Sequence, residues 1–482
     1  MIDFRPVAYV VGRILIVFAI LMLAPAIIDY RAGLQNGLDF LESAILTGSL
    51  GALLALSTRN ALGKALDTRQ AYVLTVAIWV VVPVFAALPF VLGAPGLTAA
   101  DAYFEAVSGI TATGSTVIVG LDALPAGTHL WRGLLNWLGG LGIAFVAMIF
   151  LPLMRVGGMQ YFRTEGFDTF GKAMPRATDI ARQLLFVYAA LTALCAAVFS
   201  ATGMSALDAI VHAMATISAG GFSTSDMSFG KFSGAGDYAG VLFMILGSLP
   251  FLRYVQLVSG APGEIWRDVQ VRGFMRILLV GVAVVTLWRV QTSDAGIATA
   301  FRETLFNVTA ILSGTGFFSG DFYAWGGFAL IVAFMMGLIG GCSGSAAGAL
   351  TVFRVQVSMA ALLAQIRLIS TPRRISLVKY GGRVVPGEVI NSMMLFITGY
   401  VLILGVLTVA MSLSGVALVP ALMGVWASLG NIGYHFGMTA TTTGTIQDFP
   451  PAARWILVLA MLMGRLGLLA VLVLALPRFW RA

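Results

Sequence analysis

The sequence predicts an all-α polytopic membrane protein: two N-terminal transmembrane helices, then four non-identical units of span, re-entrant helix and span. Three observations carry that prediction. The first is composition: of 482 residues, 59% are hydrophobic and 10% charged, and a mean hydropathy of +0.94 cannot be hidden inside a water-soluble globule. The second is segment length. A bilayer core takes about 20 apolar residues per helix, so the chain accommodates about ten spans and leaves no room for a separate soluble domain. The third is recurrence, because one pattern repeats four times after apolar segments at 7–28 and 38–57.

Each unit opens on a long apolar span (70–93, 180–200, 271–290, 391–414) and closes on another (131–153, 238–258, 327–353, 453–477). Between them lies a piece too short to cross, at 101–112, 206–217, 300–312 and 420–431, suited to a helix that enters and returns on one side. The chain thus divides into 1–60 for the leading helices and four units at 61–165, 166–265, 266–375 and 376–482. The N-terminal stretch has no small-residue cleavage site and reads as a retained first helix.

The excess of 29 Lys+Arg over 21 Asp+Glu sorts by loop and does not form a nucleic-acid surface. Bases gather within 59–69, 155–182, 253–276 and 354–383, and at Arg5, Arg478 and Arg481. The positive-inside rule places these, with both termini, in the cytoplasm and requires an even number of spans. The intervening loops carry Asp101, Glu105, Asp122, Asp208, Asp226, Asp237, Asp294, Glu303, Asp321 and Asp448, against Arg132, Lys231, Arg302 and Arg454. These acids either serve solvation alone or gather cations at an outer vestibule. Cys195 and Cys342 lie in apolar stretches and imply no disulfide framework. His129, His212 and His435 stand alone, and no zincin, P-loop or Gly-x-Ser-x-Gly motif occurs, so the sequence does not read as an enzyme.

The turns after the short pieces read Ala112-Thr113-Gly114-Ser115, Ala219-Gly220-Gly221-Phe222, Gly314-Thr315-Gly316-Phe317 and Asn431-Ile432-Gly433-Tyr434. Non-helical backbone at membrane depth is tolerated where it is buried or lines a water-filled path. Four such strands around one central pore would make a ring of carbonyls able to replace an ion's hydration shell. The candidate ion ligands are Ala112, Thr113, Gly114, Ala219, Gly220, Gly221, Thr315, Gly316, Ile432 and Gly433.

Below such a ring two features stand out. Residues 337–349 include five glycines, each costing about 0.8–1.0 kcal/mol against alanine in a helix. This run is either a mobile loop, with Gly340, Gly341, Cys342, Ser343, Gly344 and Ser345 as candidate gate, or a site of close helix packing through Gly337/Gly341 and Gly340/Gly344. Arg465 falls near mid-membrane, where a charge costs roughly 2.5–3.5 kcal/mol and faces protein or water. It either caps buried carbonyls or stands beside the path as a barrier to cations. Arg13 lies nearer a helix end and can snorkel.

At these residues the chain resembles the TrkH/KtrB superfamily of potassium transporters, most closely its TrkH branch, over essentially its whole length. The strings that carry the resemblance are Phe104-Glu105-Ala106 with Thr111-Ala112-Thr113-Gly114, Trp131 with Asn136-Trp137-Leu138-Gly139-Gly140, Val156-Gly157-Gly158-Met159-Gln160, His212-Ala213-Met214 with Gly220-Gly221-Phe222-Ser223-Thr224, and Met463-Gly464-Arg465-Leu466. The resemblance implies potassium uptake or symport across a bacterial inner membrane through a single pore on a pseudo-fourfold axis. Potassium would sit at Thr113, Gly114, Gly220, Gly221, Thr315, Gly316, Ile432 and Gly433. It further implies a gate at the glycine run and Arg465, a homodimer, a cytoplasmic nucleotide-binding partner of TrkA type, and no covalently bound cofactor. The chain departs from the branch at Tyr434-His435, where Pro-Gly is usual, at Thr351, where lysine is usual, and at Gly467, where Glu is frequent. The rival readings are an alternating-access carrier for another small solute and a less selective monovalent cation carrier. Alternating-access carriers often have inverted repeats with polar residues at mid-membrane, whereas these units share one orientation and their turns carry no charge.

Overall fold

The computed structural model describes residues 3–61, 67–145, 177–260, 263–320, 322–371, 376–433, 443, 445–467, 472–474 and 476–481. Helices α1 (Arg5–Arg31) and α2 (Asn36–Ser57) form a hairpin. It closes tightly at Gly12 and Gly51: a Cβ on Gly12 would stand 2.8 Å from the Gly51 carbonyl. Asp29 docks this hairpin onto the body. Fully buried, its carboxylate accepts from Gly127 N at 2.7 Å and Asn36 Nδ2 at 2.5 Å, and Asn36 also reaches Thr128 Oγ1 at 3.2 Å.

The first unit runs through α3 (Thr68–Ala86), α4 (Leu88–Leu92), the short α5 (Ala99–Ile110) and α6 (Ala126–Phe145). The second has α7 (Ala177–Ala201), the short α8 (Ala206–Ile217), α9 (Ala235–Ser248) and α10 (Phe251–Val258). The third has α11 (Val269–Thr292), the short α12 (Ile297–Leu312), α13 (Gly327–Ile339) and α14 (Val352–Ser370). The fourth has α15 (Gly387–Leu413), the short α16 (Leu418–Leu429) and α17 (Pro451–Leu466). Side-chain caps start the first two short helices: Thr98 Oγ1 accepts from Asp101 N, and Ser205 Oγ from Asp208 N.

Among the described residues, seven helices are long and apolar enough to cross a membrane, or eight if the bent pair α9–α10 is counted as one span. The expected total is ten: the second-span helices α6, α13 and α17 are not among the seven, whereas α14, in the expected cytoplasmic connection, is. α6 is described to Phe145 and α17 to Leu466, and residues 146–176 and 468–471 lie outside the described residues. The expected straight span at 238–258 is a correction: α9 and α10 meet at 89°, because Pro250 has no N–H to continue the helical ladder. The basic connection at 354–383 also differs from expectation, since α14 continues to Ser370. Beyond it, Lys379–Tyr380 and Arg383–Val384 pair as a two-stranded hairpin. Its turn residues, Gly381 and Gly382, have φ of +57° and +83°, as a two-residue hairpin turn requires. The basic residues of 155–176, the string at 156–160, and Tyr434-His435 lie outside the described residues.

Candidate functional site

The four short helices end alike. In α5 the N–H groups of Ala112 and Thr113 reach back to the carbonyls of Gly109 and Ser108 at 2.9 Å each, a Schellman closure. α8 repeats it with Ala219 on Thr216 O and Gly220 on Ala215 O, and α16 with Asn431 on Ser428 O and Ile432 on Ala427 O. α12 closes with Gly314 on Ile311 O and Gly316 on Ala310 O. The motif needs a left-handed residue just past the helix. Ala112, Ala219, Gly314 and Asn431 supply it at φ +47°, +54°, +74° and +50°. Two residues on, Gly114, Gly221, Gly316 and Gly433 are left-handed again, at φ between +67° and +87°. Each helix therefore presents its C-terminal end, the negative end of its dipole, to a loop of one shared shape.

The loops touch in sequence around a ring. A Cβ on Gly114 would strike the Gly220 carbonyl, one on Gly221 the Thr315 carbonyl, and one on Gly433 the Thr113 carbonyl. Glycine is required here both for its φ and for the approach of a neighbouring carbonyl. Hydroxyl pairs stiffen two loops: Thr111 with Thr113 at 2.7 Å, and Ser313 with Thr315 at 2.8 Å. The Asn431 side chain joins the fourth loop to the first, donating to Thr113 Oγ1 at 2.9 Å and also to Met461 O at 3.0 Å. All ten residues expected to line a path lie on these four loops.

The glycine run of the third unit breaks the helix as its composition predicts, with α13 ending at Ile339 and α14 starting at Val352. The small-residue helix packing considered for this run is thereby excluded between 340 and 351. The segment seats against the helix side of the ring. A Cβ on Gly348 would strike Gly430 O, and Gly348 N lies 3.5 Å from where a Gly314 Cβ would stand. It fills the α9–α10 bend: Cys342 N donates to Ser248 O at 3.1 Å and Phe251 N to Gly344 O at 2.9 Å. Gln270 Oε1 on α11 accepts from Ser343 N at 2.9 Å. Ser343 and Thr351 share a hydroxyl bond of 2.7 Å. Thr351 has φ +74°, a conformation a β-branched residue adopts only under constraint.

Arg465, 7% exposed, resolves one of its two readings directly. Its Nε donates to Thr111 O, its Nη2 to Ala112 O at 3.0 Å and its Nη1 to Ala346 O at 2.9 Å. It caps the exposed carbonyl end of α5 and holds the glycine segment to it. Gly467 leaves it no carboxylate there, and backbone oxygens take that role.

Two residues placed by charge in outer loops lie elsewhere. Glu105 and Arg132, 0% and 1% exposed, pair at 3.0 Å behind the first loop. Neither could be read as buried from local sequence, because the pair forms between two helices. Several of the acids expected in outer loops are also neutralised: Asp101 by Arg454, Asp122 by Lys231 at 3.3 Å, and Glu303 by Arg289 at 2.5 Å. Slight burial alone would raise the Asp122 carboxyl. Hydrogen bonds from Asp226 N, Ser225 and Lys231 outweigh it and hold the group below its ordinary value.

Four loops closing a ring inside a bundle of membrane-spanning helices define a membrane transport protein. A family model described as "Cation transport protein", TrkH, matches residues 37–481. The chain is 37% identical over 479 residues to the Trk system potassium uptake protein TrkI of Halomonas elongata, covering 99% of this chain and 97% of that one. It is 33% identical to the Trk system potassium uptake protein TrkH of Escherichia coli K12, covering 99% of each. The crystal structure of the potassium transporter TrkH from Vibrio parahaemolyticus matches with a TM-score of 0.91 at 30% identity, covering 100% of both chains. The chain belongs to the TrkH family.

Proposed function

We propose that this protein takes up potassium across the bacterial inner membrane, with both termini cytoplasmic. In this reading the carbonyls around Thr113, Gly114, Gly220, Gly221, Thr315, Gly316, Ile432 and Gly433 form the selectivity filter, with Ala112 and Ala219 shaping its base. The observation that carries it is the ring: four loops with the same pair of left-handed positions, the glycines of the first, second and fourth each set against a carbonyl of the next loop around. Carbonyls so fixed replace hydration water around a cation, and four helix C-termini add negative potential. The glycine segment at 340–345 is the gate, and Arg465 latches it while opposing cations in the closed path. The names of the relatives support potassium as the ion. The protein works as a homodimer with a nucleotide-binding regulatory subunit of TrkA type docked on its basic cytoplasmic face, and symport with another ion is compatible with this arrangement.

The test is flux into proteoliposomes with potassium, rubidium, sodium and lithium in turn, for the parent, Gly221→Ser and Gly316→Ser. Potassium preference is expected in the parent and its loss in both variants. Folded variants that discriminate as the parent does would remove the filter from these loops, and a parent with no preference would mark a less selective carrier.

A further inference from the structure

One position recurs behind the ring. Nine residues before the loop glycines Gly114, Gly221, Gly316 and Gly433 stand Glu105, His212, Asn307 and Gly424. The first three do the same work by different chemistry. The Glu105 carboxylate accepts from Thr116 Oγ1 at 3.0 Å and Val117 N at 3.0 Å, just past Gly114. His212 Nδ1 lies 2.8 Å from Asp208 O and Nε2 3.0 Å from Ser223 Oγ, two residues past Gly221. A carbonyl only accepts, so Nδ1 donates to Asp208 O, and Nε2 pairs with the serine hydroxyl. Asn307 Nδ2 donates to Ser319 O at 2.7 Å, and its Oδ1 accepts from Ser319 N at 3.3 Å, three residues past Gly316. All three side chains are fully buried.

The fourth position has no side chain to offer. A Cβ on Gly424 would stand 3.4 Å from the Phe449 ring, which occupies that place. The first two braces are also joined, because Arg132 bonds Glu105 Oε1 through Nε at 3.0 Å and Ser223 O through Nη1 at 2.7 Å. Its guanidinium lies 4.1 Å from the Phe222 ring centroid.

We propose that the residue nine positions before each loop glycine is a positioning residue for ion discrimination. Glu105, His212 and Asn307 fix the strand leaving the ring to its own short helix, whereas at the fourth position Gly424 offers no side chain and lies against the Phe449 ring. This rests on the filter reading above. A ring that prefers the larger of two cations must resist closing around the smaller one. A polar tie two or three residues beyond the glycine supplies that resistance without touching the ion. The ring is thus braced unevenly: three quarters carry a polar tie at this position and the fourth carries a glycine.

Asn307→Leu keeps the branched outline and removes the side chain's bonds to Ser319 and to Glu303 O, and His212→Leu removes both bonds of the imidazole in the second unit. Flux ratios for potassium over sodium are measured in proteoliposomes for both, beside Gly316→Ser and beside Phe301→Ala, which lies on the exposed side of the same helix as Asn307. Losing a buried hydrogen bond that resists one ion's geometry more than the other's changes the ratio by about tenfold. The expected result is that fall in both leucine variants with potassium flux retained, and a parental ratio in Phe301→Ala. Parental ratios in folded Asn307→Leu or His212→Leu, with discrimination lost in Gly316→Ser, would overturn the braces and leave the filter standing. Parental ratios in all variants would overturn the filter reading and the braces with it. An equal fall in Phe301→Ala would show general helix disturbance and overturn the braces.

Discussion

Arg465→Met keeps most of the side chain's length and removes its donors. In the folded protein the guanidinium holds three carbonyls, Thr111 and Ala112 on the first loop and Ala346 on the glycine segment. Of these three bonds, only the one to Ala346 must break for the segment to withdraw while Arg465 stays on α17. A hydrogen bond from a charged donor contributes about 1.5–3 kcal/mol net, so losing it shifts the balance between seated and withdrawn segment by about tenfold to a hundredfold. Removing the charge acts in the same direction, since two like unit charges 4 Å apart repel by about 4 kcal/mol at an effective dielectric of 20. Arg465→Lys separates the two effects, because it keeps the charge and loses the three-pronged grip. Both variants strand carbonyls at about 1–3 kcal/mol each, so both should melt earlier in detergent. Rubidium uptake into proteoliposomes at matched protein density is the assay. Uptake should rise severalfold in Arg465→Met and less in Arg465→Lys, with the order of ion preference kept. Uptake at or below the parent's in correctly inserted Arg465→Met would refute the latch and leave the arginine as a packing element.

Asp29→Ala should loosen the N-terminal hairpin, because it removes two bonds to a buried carboxylate. A destabilisation of about 3 kcal/mol is expected from such charge-assisted bonds, read as an earlier thermal transition with ion preference unchanged. The Asp122 carboxyl is held below its ordinary value when folded, so its contribution is present above the unfolded carboxyl's pKa and lost as pH falls through the folded value. The melting difference between the parent and Asp122→Asn should therefore be steady near neutrality and shrink below about pH 4. A difference that persists in acid would show that the carboxylate is not what joins these outer segments.

The recurrent glycines were legible because backbone demands write themselves into sequence: a left-handed φ beside a neighbour's carbonyl leaves one residue type. The broken helix at 340–351 was legible for a related reason, since so dense a glycine run cannot sustain a helix. The ion pair of Glu105 and Arg132 was not. Charge counting sends both to water, and only the packing of α5 against α6 makes each the other's solvent. The brace position was hidden differently. Glu105, His212 and Asn307 share no chemistry, so the register emerges only when their bonds are seen. Arg465 offered two readings of its burial because a guanidinium satisfied by backbone oxygens leaves no partner residue in the sequence to find. The bend at Pro250 carried its signal in the proline itself, obscured by apolar residues on both sides.

The seat of the glycine segment has a consequence for water. Ser248 O, Phe251 N, the side chain of Gln270 and Gly430 O lie where the segment rests, three of them as hydrogen-bond partners. If the segment withdraws, as the proposed gating requires, these groups are bared together. Purely apolar constrictions close by drying out, and a gap a few ångströms wide can stay empty and shut. If the segment is the gate, clearing the passage would expose polar groups at which the first waters can be held, since an ordered water needs two to four polar partners. Removal of the obstruction and wetting of the space it leaves then become one event. An inner passage that dries again would require the segment to return.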